Sequence, residues 1–245
     1  ASFVVAGAGV PVAKHGNRSN TRKSGSAEVL EMLGVNIGMG VEGVQQCLDE
    51  LGLCFCYAVN HHPAMRFAGP IRRELGVPTV FNLLGPLTNP AGAKRQLIGV
   101  PNQALTRTIA EVLKRLGSKQ VLVVHGEDGL CELTMSGTTF VAELRDGEIR
   151  EYTVTPEELG LERGDLDAIR ITEAEESAAT IRGILAGTEQ GPARTIALMN
   201  TAGALVVSGV VDDLKTGVTL ATEAIDSGNA QTKLDALVEF TQQAA

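Results

Sequence analysis

Apolar positions along this 245-residue chain recur in alternating helical and strand spacing, which predicts an α/β architecture. The small, apolar run 1–9 predicts a helix, and 10–13 a short strand delivering a loop at Lys14. Helices are expected at 27–33 and 41–51, the second with Val41, Val44, Cys47, Leu48 and Leu51 on one face. Residues 54–58 read as a short buried strand. Helical spacing over 63–75 is interrupted by Pro70, so two short helices or one kinked helix is expected, and 79–84 runs into a rigid Gly-Pro-Leu-Thr-Asn-Pro loop. A helix at 103–116 and a buried strand at 120–125 follow. Residues 133–154 alternate as strands with turns at Ser136-Gly137 and Asp146-Gly147, and three helices are expected at 176–185, 193–208 and 211–239.

One segment breaks the apolar periodicity. Residues 14–28, KHGNRSNTRKSGSAE, crowd cations, hydroxyls, amides and glycines into a turn-rich stretch just ahead of a predicted helix. Gly16 and Gly25 allow close backbone approach, and Ser24 to Ser26 sit where unpaired helical N–H groups and the positive end of the dipole face outward. Charge-assisted hydrogen bonds from the same stretch would complete a phosphate cradle. Taken alone, such a run reads better as a solvated basic loop ending in an ordinary capping serine; the rest of the chain tips the reading toward the cradle.

Composition narrows the field. The chain is 44% hydrophobic and 20% charged, with a formal charge of −8 and no tryptophan, so a general nucleic-acid surface and base-stacking platforms are not expected. No apolar run reaches membrane-spanning length, and 1–12 lacks the basic lead-in of a secretory signal, so a cytoplasmic location without membrane partners is expected. Cys47, Cys54, Cys56 and Cys131 lack metal-ligand spacing; Cys54 and Cys56 would share one face of a strand, and reduced, mostly buried thiols are expected.

Several motifs, in order, carry a resemblance that spans the chain: VAKHGNR with SGSAEVLE, HHPAMR with GPIRRELG, VFNLLGPLTNPA, HGEDGL followed by Glu132, GPAR, and LATEAIDSG. With these the sequence resembles the anthranilate phosphoribosyltransferase family. The resemblance implies a nucleoside-phosphorylase-like fold, a large α/β domain with a remnant of a small helical domain to which 61–78 would belong. It also implies 5-phosphoribosyl 1-diphosphate and anthranilate as substrates, Mg2+ as cofactor and a homodimer. Matched residue by residue, Lys14, His15, Gly16, Asn17, Arg18, Ser19, Asn20, Thr21, Arg22 and Ser26 fall on the diphosphate-ester segment, and Asn17 also on an anthranilate contact. Arg72 matches the arginine that meets the anthranilate carboxylate, a task suited to a guanidinium fork; from its own sequence context alone it reads instead as a surface helix arginine beside Arg73. His15 is expected to bind rather than act as a base, and His61 and His62 to be structural. Glu132 matches a magnesium carboxylate.

Two departures from the family pattern shape the expectations. Cys131 stands where the family has an aspartate, and a thiol is a poor ligand for a hard cation, so that metal position should be weakened. The sequence also starts past the family's Gly-Thr-Gly-Gly-Asp loop, its Asn-x-Ser-Thr segment and its N-terminal helices. It therefore reads as a fragment, with a sheet lacking its first strand, apolar residues such as Met65, Phe67 and Ile71 exposed, and reduced stability and activity. A pyrimidine nucleoside phosphorylase-like enzyme and a non-catalytic homologue binding nucleic acid or a protein are the alternative functions.

Overall fold

The computed structural model describes residues 1–18, 24–77 and 79–243, leaving out the side chain of Arg73. In chain order the elements are α1 (Ser2–Gly7), β1 (Val12–Gly16), α2 (Ser26–Met32), α3 (Val41–Leu51), β2 (Leu53–Tyr57), α4 (Ala58–His61), α5 (Met65–Leu75), α6 (Phe81–Leu84), β3 (Arg95–Gly99), α7 (Leu105–Arg115), β4 (Gln120–Gly126), β5 (Thr139–Arg145), β6 (Glu148–Val154), α8 (Ala174–Leu185), α9 (Pro192–Ser208), α10 (Leu214–Asp226) and α11 (Asn229–Gln243). They fall into two compact units.

The first unit comprises Ala1–Val10, Ala93–Arg170 and Thr180–Thr232. Its sheet has the order β3-β4-β5-β6, parallel between β3 and β4 and antiparallel thereafter. Helix α7 makes the crossover that two parallel neighbours require. Val121 to Val124 of β4 are wholly buried, as befits a strand covered on both faces, and both α7 and α9 pack against it. The β5–β6 hairpin closes through Asp146 (φ 51) and Gly147 (φ 79), the two positive-φ positions that a primed turn matching strand twist demands. Behind the sheet α9 meets α10 so closely that a Cβ at Gly217 would lie 2.9 Å from the Ala202 Cα.

The second unit comprises Pro11–Gly92, Ile171–Ala179 and Lys233–Ala245. Strands β1 and β2 pair in parallel from Val12↔Leu53 to Gly16↔Tyr57, with α2 and α3 in the connection between them. Helix α3 buries Val44 and Cys47 and stops at Gly52 in the left-handed region (φ 68). Val41, expected on the buried face, is 60% exposed. The end of α11 is fastened to the same unit: the Asn36 N–H donates to Thr241 Oγ1 at 3.1 Å, and Lys233 Nζ donates to the Leu51 carbonyl at 2.6 Å.

Four sequence expectations change. Strand β1 starts later than expected and carries Lys14, His15 and Gly16, so these three are strand rather than loop residues. Residues 95–99 form a strand that no pattern announced, because Arg95 and Gln96 open it with polar side chains. Residues 133–138 hold no strand; their backbone is spent on loop contacts. The expected helix 211–239 is two, α10 and α11, because Gly228 adopts φ 78 between them. Residues 63–75 carry one helix, α5, with Pro70 inside it. Phe67 and Ile71 are exposed as expected, whereas Met65 is half-buried.

Candidate active site

Most of the sequence-predicted site residues lie in the second unit, where β1 ends. Two tethers fix that strand end to the turn after α6. His15 Nδ1 lies 3.2 Å from the Gly85 carbonyl, which only accepts, so Nδ1 carries the proton. Asn89 Nδ2 donates to the Ala13 carbonyl at 3.0 Å. The other nitrogen of His15, Nε2, is 3.1 Å from His62 Nε2. Burial lowers the His15 pKa below its usual value; the bond to Gly85 opposes this, and His62, His61 and Lys14 add to it. His15 is therefore a neutral, oriented ring between two backbone-anchored segments, and His62 is its partner.

Gly16 has a tighter reason to be glycine than ligand approach. A Cβ there would sit 2.7 Å from Phe55 Cε2, so the ring on β2 occupies the space. The Phe55 ring stacks on Tyr57 with centroids 6.4 Å apart. Over Tyr57 lies the Arg18 guanidinium, 6.0 Å from the ring centroid, with Nη2 donating to Glu31 Oε1 at 2.6 Å. The bond to Glu31, and then that to Tyr57, raises the Arg18 pKa. Arg18, which the motifs match to the diphosphate-ester segment, is paired here with a carboxylate of α2. The Asn17 side chain accepts from the Arg18 N–H at 2.8 Å. Gly25 in extended conformation is the N-cap of α2, without a side-chain cap bond, and Ser26 is the first helical residue and exposed. Ser19, Asn20, Thr21 and Arg22 lie outside the described residues.

Arg72 on α5 reaches toward α6. Its Nη2 lies 3.4 Å from Asn82 Oδ1, and its guanidinium carbon is 5.3 Å from the Phe81 ring centroid. Asn82 Oδ1 also accepts the Thr79 N–H at 2.9 Å, which holds it facing the arginine. Asn82, His62 and Asn89 were not singled out as site residues by the sequence; only the polar positions within an otherwise apolar VFNLLGPLTNP run hinted at the two asparagines.

Cys131 and Glu132 belong to the first unit, on the loop between β4 and β5, and both are exposed. Upstream, Asp128 accepts hydrogen bonds from Thr134 Oγ1, Ser136 Oγ and the Leu130 N–H. Burial opposes its ionisation, but those bonds outweigh burial and hold its carboxyl below the usual range. Among the described residues no three His, Cys, Asp or Glu side chains form a metal-holding group. The loop carries three carboxylates: Asp128 is engaged by those bonds, Glu127 Oε1 accepts the Thr138 N–H at 2.9 Å, and Glu132 is exposed beside a soft thiol. That fits a magnesium ion that keeps its waters and takes its remaining ligands from substrate phosphates, through Glu132 and not Cys131.

Comparison with known proteins agrees with the motifs. Residues 1–231 match the family model described as glycosyl transferase family, a/b domain. The anthranilate phosphoribosyltransferase of Rhodopseudomonas palustris (strain BisB5) is 53% identical over 98% of this chain and 71% of its own length. That of Methylobacillus flagellatus is 50% identical over 99% and 71%. The crystal structure of the Thermus thermophilus enzyme superposes with a TM-score of 0.92 at 43% identity, covering 98% of this chain and 71% of that one. The Saccharomyces cerevisiae enzyme in complex with PRPP and Mg superposes with a TM-score of 0.89 at 27% identity over 99% and 69%. The shared name favours this reading over the nucleoside phosphorylase alternative. On motif, sequence and fold together, the chain belongs to the anthranilate phosphoribosyltransferase family.

Proposed function

We propose a division of labour among these residues for the family's reaction, transfer of the phosphoribosyl group from 5-phosphoribosyl 1-diphosphate to anthranilate. Displacement of diphosphate from the ribose C1 builds positive charge on the sugar and negative charge on the leaving group, and needs no covalent enzyme nucleophile. Lys14, with the amides and hydroxyls of Asn17, Ser19, Asn20, Thr21 and Ser26 and the cations Arg18 and Arg22, holds the diphosphate ester. His15 and Gly16 fix the backbone that presents them. Arg72 takes the anthranilate carboxylate, and Asn17 helps to hold the amine in line for attack. Glu132 is the protein's magnesium carboxylate, and Cys131 contributes nothing to the ion. Magnesium, when bound, neutralises charge on the diphosphate. Removing a donor aimed at developing charge typically costs about 3–4 kcal/mol of transition-state stabilisation. Residues 61–78 act as part of a smaller helical lobe, the enzyme works as a homodimer, and its compartment is the cytoplasm; among the described residues no helix is long and apolar enough to cross a membrane.

The observation that carries this reading is the double tether of β1 to the Gly85–Asn89 turn. It sets the basic strand end and the Arg72–Asn82 pair within one unit. Titrating the chain with 5-phosphoribosyl 1-diphosphate in excess Mg2+ should give saturable binding, and Lys14→Gln should weaken it at least about tenfold, the loss of one charge-assisted hydrogen bond. Absence of binding by the unsubstituted chain would overturn the proposal.

A further inference from the structure

We infer that Asn200, on α9, is the positioning residue for the Glu132 carboxylate, and that Gly203, one turn later on the same helix, completes its mount. The inference rests on the reading of Glu132 as the magnesium carboxylate.

Asn200 is 5% exposed and spends its whole amide on backbone. Oδ1 accepts the Leu133 N–H at 2.9 Å, and Nδ2 donates to the Leu133 carbonyl at 2.9 Å and to the Ile196 carbonyl at 2.9 Å. A side-chain amide that pairs with both polar groups of one residue fixes that residue's backbone as a neighbouring strand would, here directly after Glu132. The Leu133 side chain is wholly buried against the same helix: a Cβ at Gly203 would come within 2.7 Å of Leu133 Cδ1 and 3.3 Å of a Leu97 methyl. Asn200 and Gly203 are three residues apart and so share a helix face. On the other side of Glu132, the Cys131 carbonyl lies where any Cβ on Gly99 would have to be. Further along, the Thr134 N–H donates to Thr139 Oγ1 at 2.9 Å, and the Asp128 carboxylate gathers Thr134 and Ser136.

Glu132 is thus an exposed carboxylate on a backbone held immediately before and after it. An ion that shares its ligands with a substrate gains affinity from a carboxylate whose main chain need not be ordered on binding. Asn200 acts on Glu132 only through the Leu133 backbone, so it is a positioning residue.

The test uses Mn2+ as a Mg2+ analogue, with its binding to the full chain in the presence of 5-phosphoribosyl 1-diphosphate followed from the electron paramagnetic resonance signal of free Mn2+. Near-ultraviolet circular dichroism checks that each variant is folded. Glu132→Gln should raise the Mn2+ Kd, and the near-isosteric Asn200→Asp, which loses the donor, should raise it about 10-fold or more, within the 10–100-fold range of such outer partners. Gly203→Ala, which displaces the Leu133 side chain and leaves Asn200 intact, should also raise it. In a Glu132→Gln background neither change should add anything. If Glu132→Gln raises the Kd and both α9 variants leave it unchanged, or if their effects persist undiminished without Glu132, the positioning role is overturned. A Kd unmoved by Glu132→Gln sinks instead the assignment of that carboxylate to the metal.

Discussion

His15 and His62 meet nitrogen to nitrogen, Nε2 to Nε2 at 3.1 Å, with ring centroids 5.0 Å apart and planes inclined by 65°. Because Nδ1 of His15 donates to Gly85, its Nε2 is the lone-pair end and His62 supplies the shared proton. A second proton on His15 would set two donors face to face.

That relationship gives stability a pH dependence. The folded pKa of His15 is lowered, chiefly by burial, so as pH falls below the unfolded value of about 6.5 the unfolded chain takes up a proton that the folded chain refuses. Its contribution is present above that value and declines on acidification until the folded pKa is passed. Protection factors of β1 amides, that is hydrogen exchange corrected for its own dependence on pH, should therefore fall between pH 7 and 5.5. In His15→Asn, whose Nδ2 can still donate to Gly85, this loss of protection should shrink without vanishing. His61 is lowered too, by burial and then by His62, and supplies the remainder. An unchanged pH slope in the variant would show that His15 is not the group involved.

Arg72→Lys preserves charge and loses the fork. A lysine cannot offer two parallel N–H donors to a carboxylate, nor lie flat over Phe81, so the KM for anthranilate should rise about tenfold or more while that for 5-phosphoribosyl 1-diphosphate stays put. Steady-state kinetics with each substrate varied in turn decides it; equal changes in both constants would place Arg72 elsewhere in the reaction.

Among the four thiols only Cys131 faces solvent. Burial raises the Cys47 pKa to about 11, and its Sγ donates to the Leu53 carbonyl at 3.1 Å. Cys54 and Cys56 are buried side by side, with sulfurs 4.0 Å apart. A neutral aromatic disulfide reagent should therefore modify one thiol per chain quickly, at Cys131, and the others only on unfolding. Replacing Cys131 by aspartate removes the fast phase and adds a hard oxygen beside Glu132, so the Mg2+ concentration needed for half-maximal rate should fall several-fold. An unaltered Mg2+ requirement would show that the position does not reach the ion.

How legible all this was in the sequence varies with the range of the interaction. Helix α3, strand β4 and the Asp146-Gly147 hairpin were readable because periodicity and turn chemistry are local. The break at Gly228 was equally local and was passed over, since Ser227 and Gly228 sit inside an otherwise continuous helical pattern. Strand β3 escaped because its burial comes from neighbours rather than from its own alternation. Among the candidate site residues, family motifs singled out Lys14, Arg72 and Glu132. No pattern could pair His15 with His62, 47 residues away, or Asn200 with Leu133, 67 away. The Arg18–Glu31 pairing was closer to view, 13 residues apart, yet no local pattern specifies it.

Strands count residues in twos. With only five pairs joining β1 to β2, one extra residue placed ahead of Val12 would slip the ladder by a single step and exchange its two faces. Lys14 would then occupy the place from which the imidazole now reaches Gly85, and the side chain nearest Phe55 would no longer be a hydrogen atom. Which group greets an incoming anion is, on this view, decided by the parity of a short ladder.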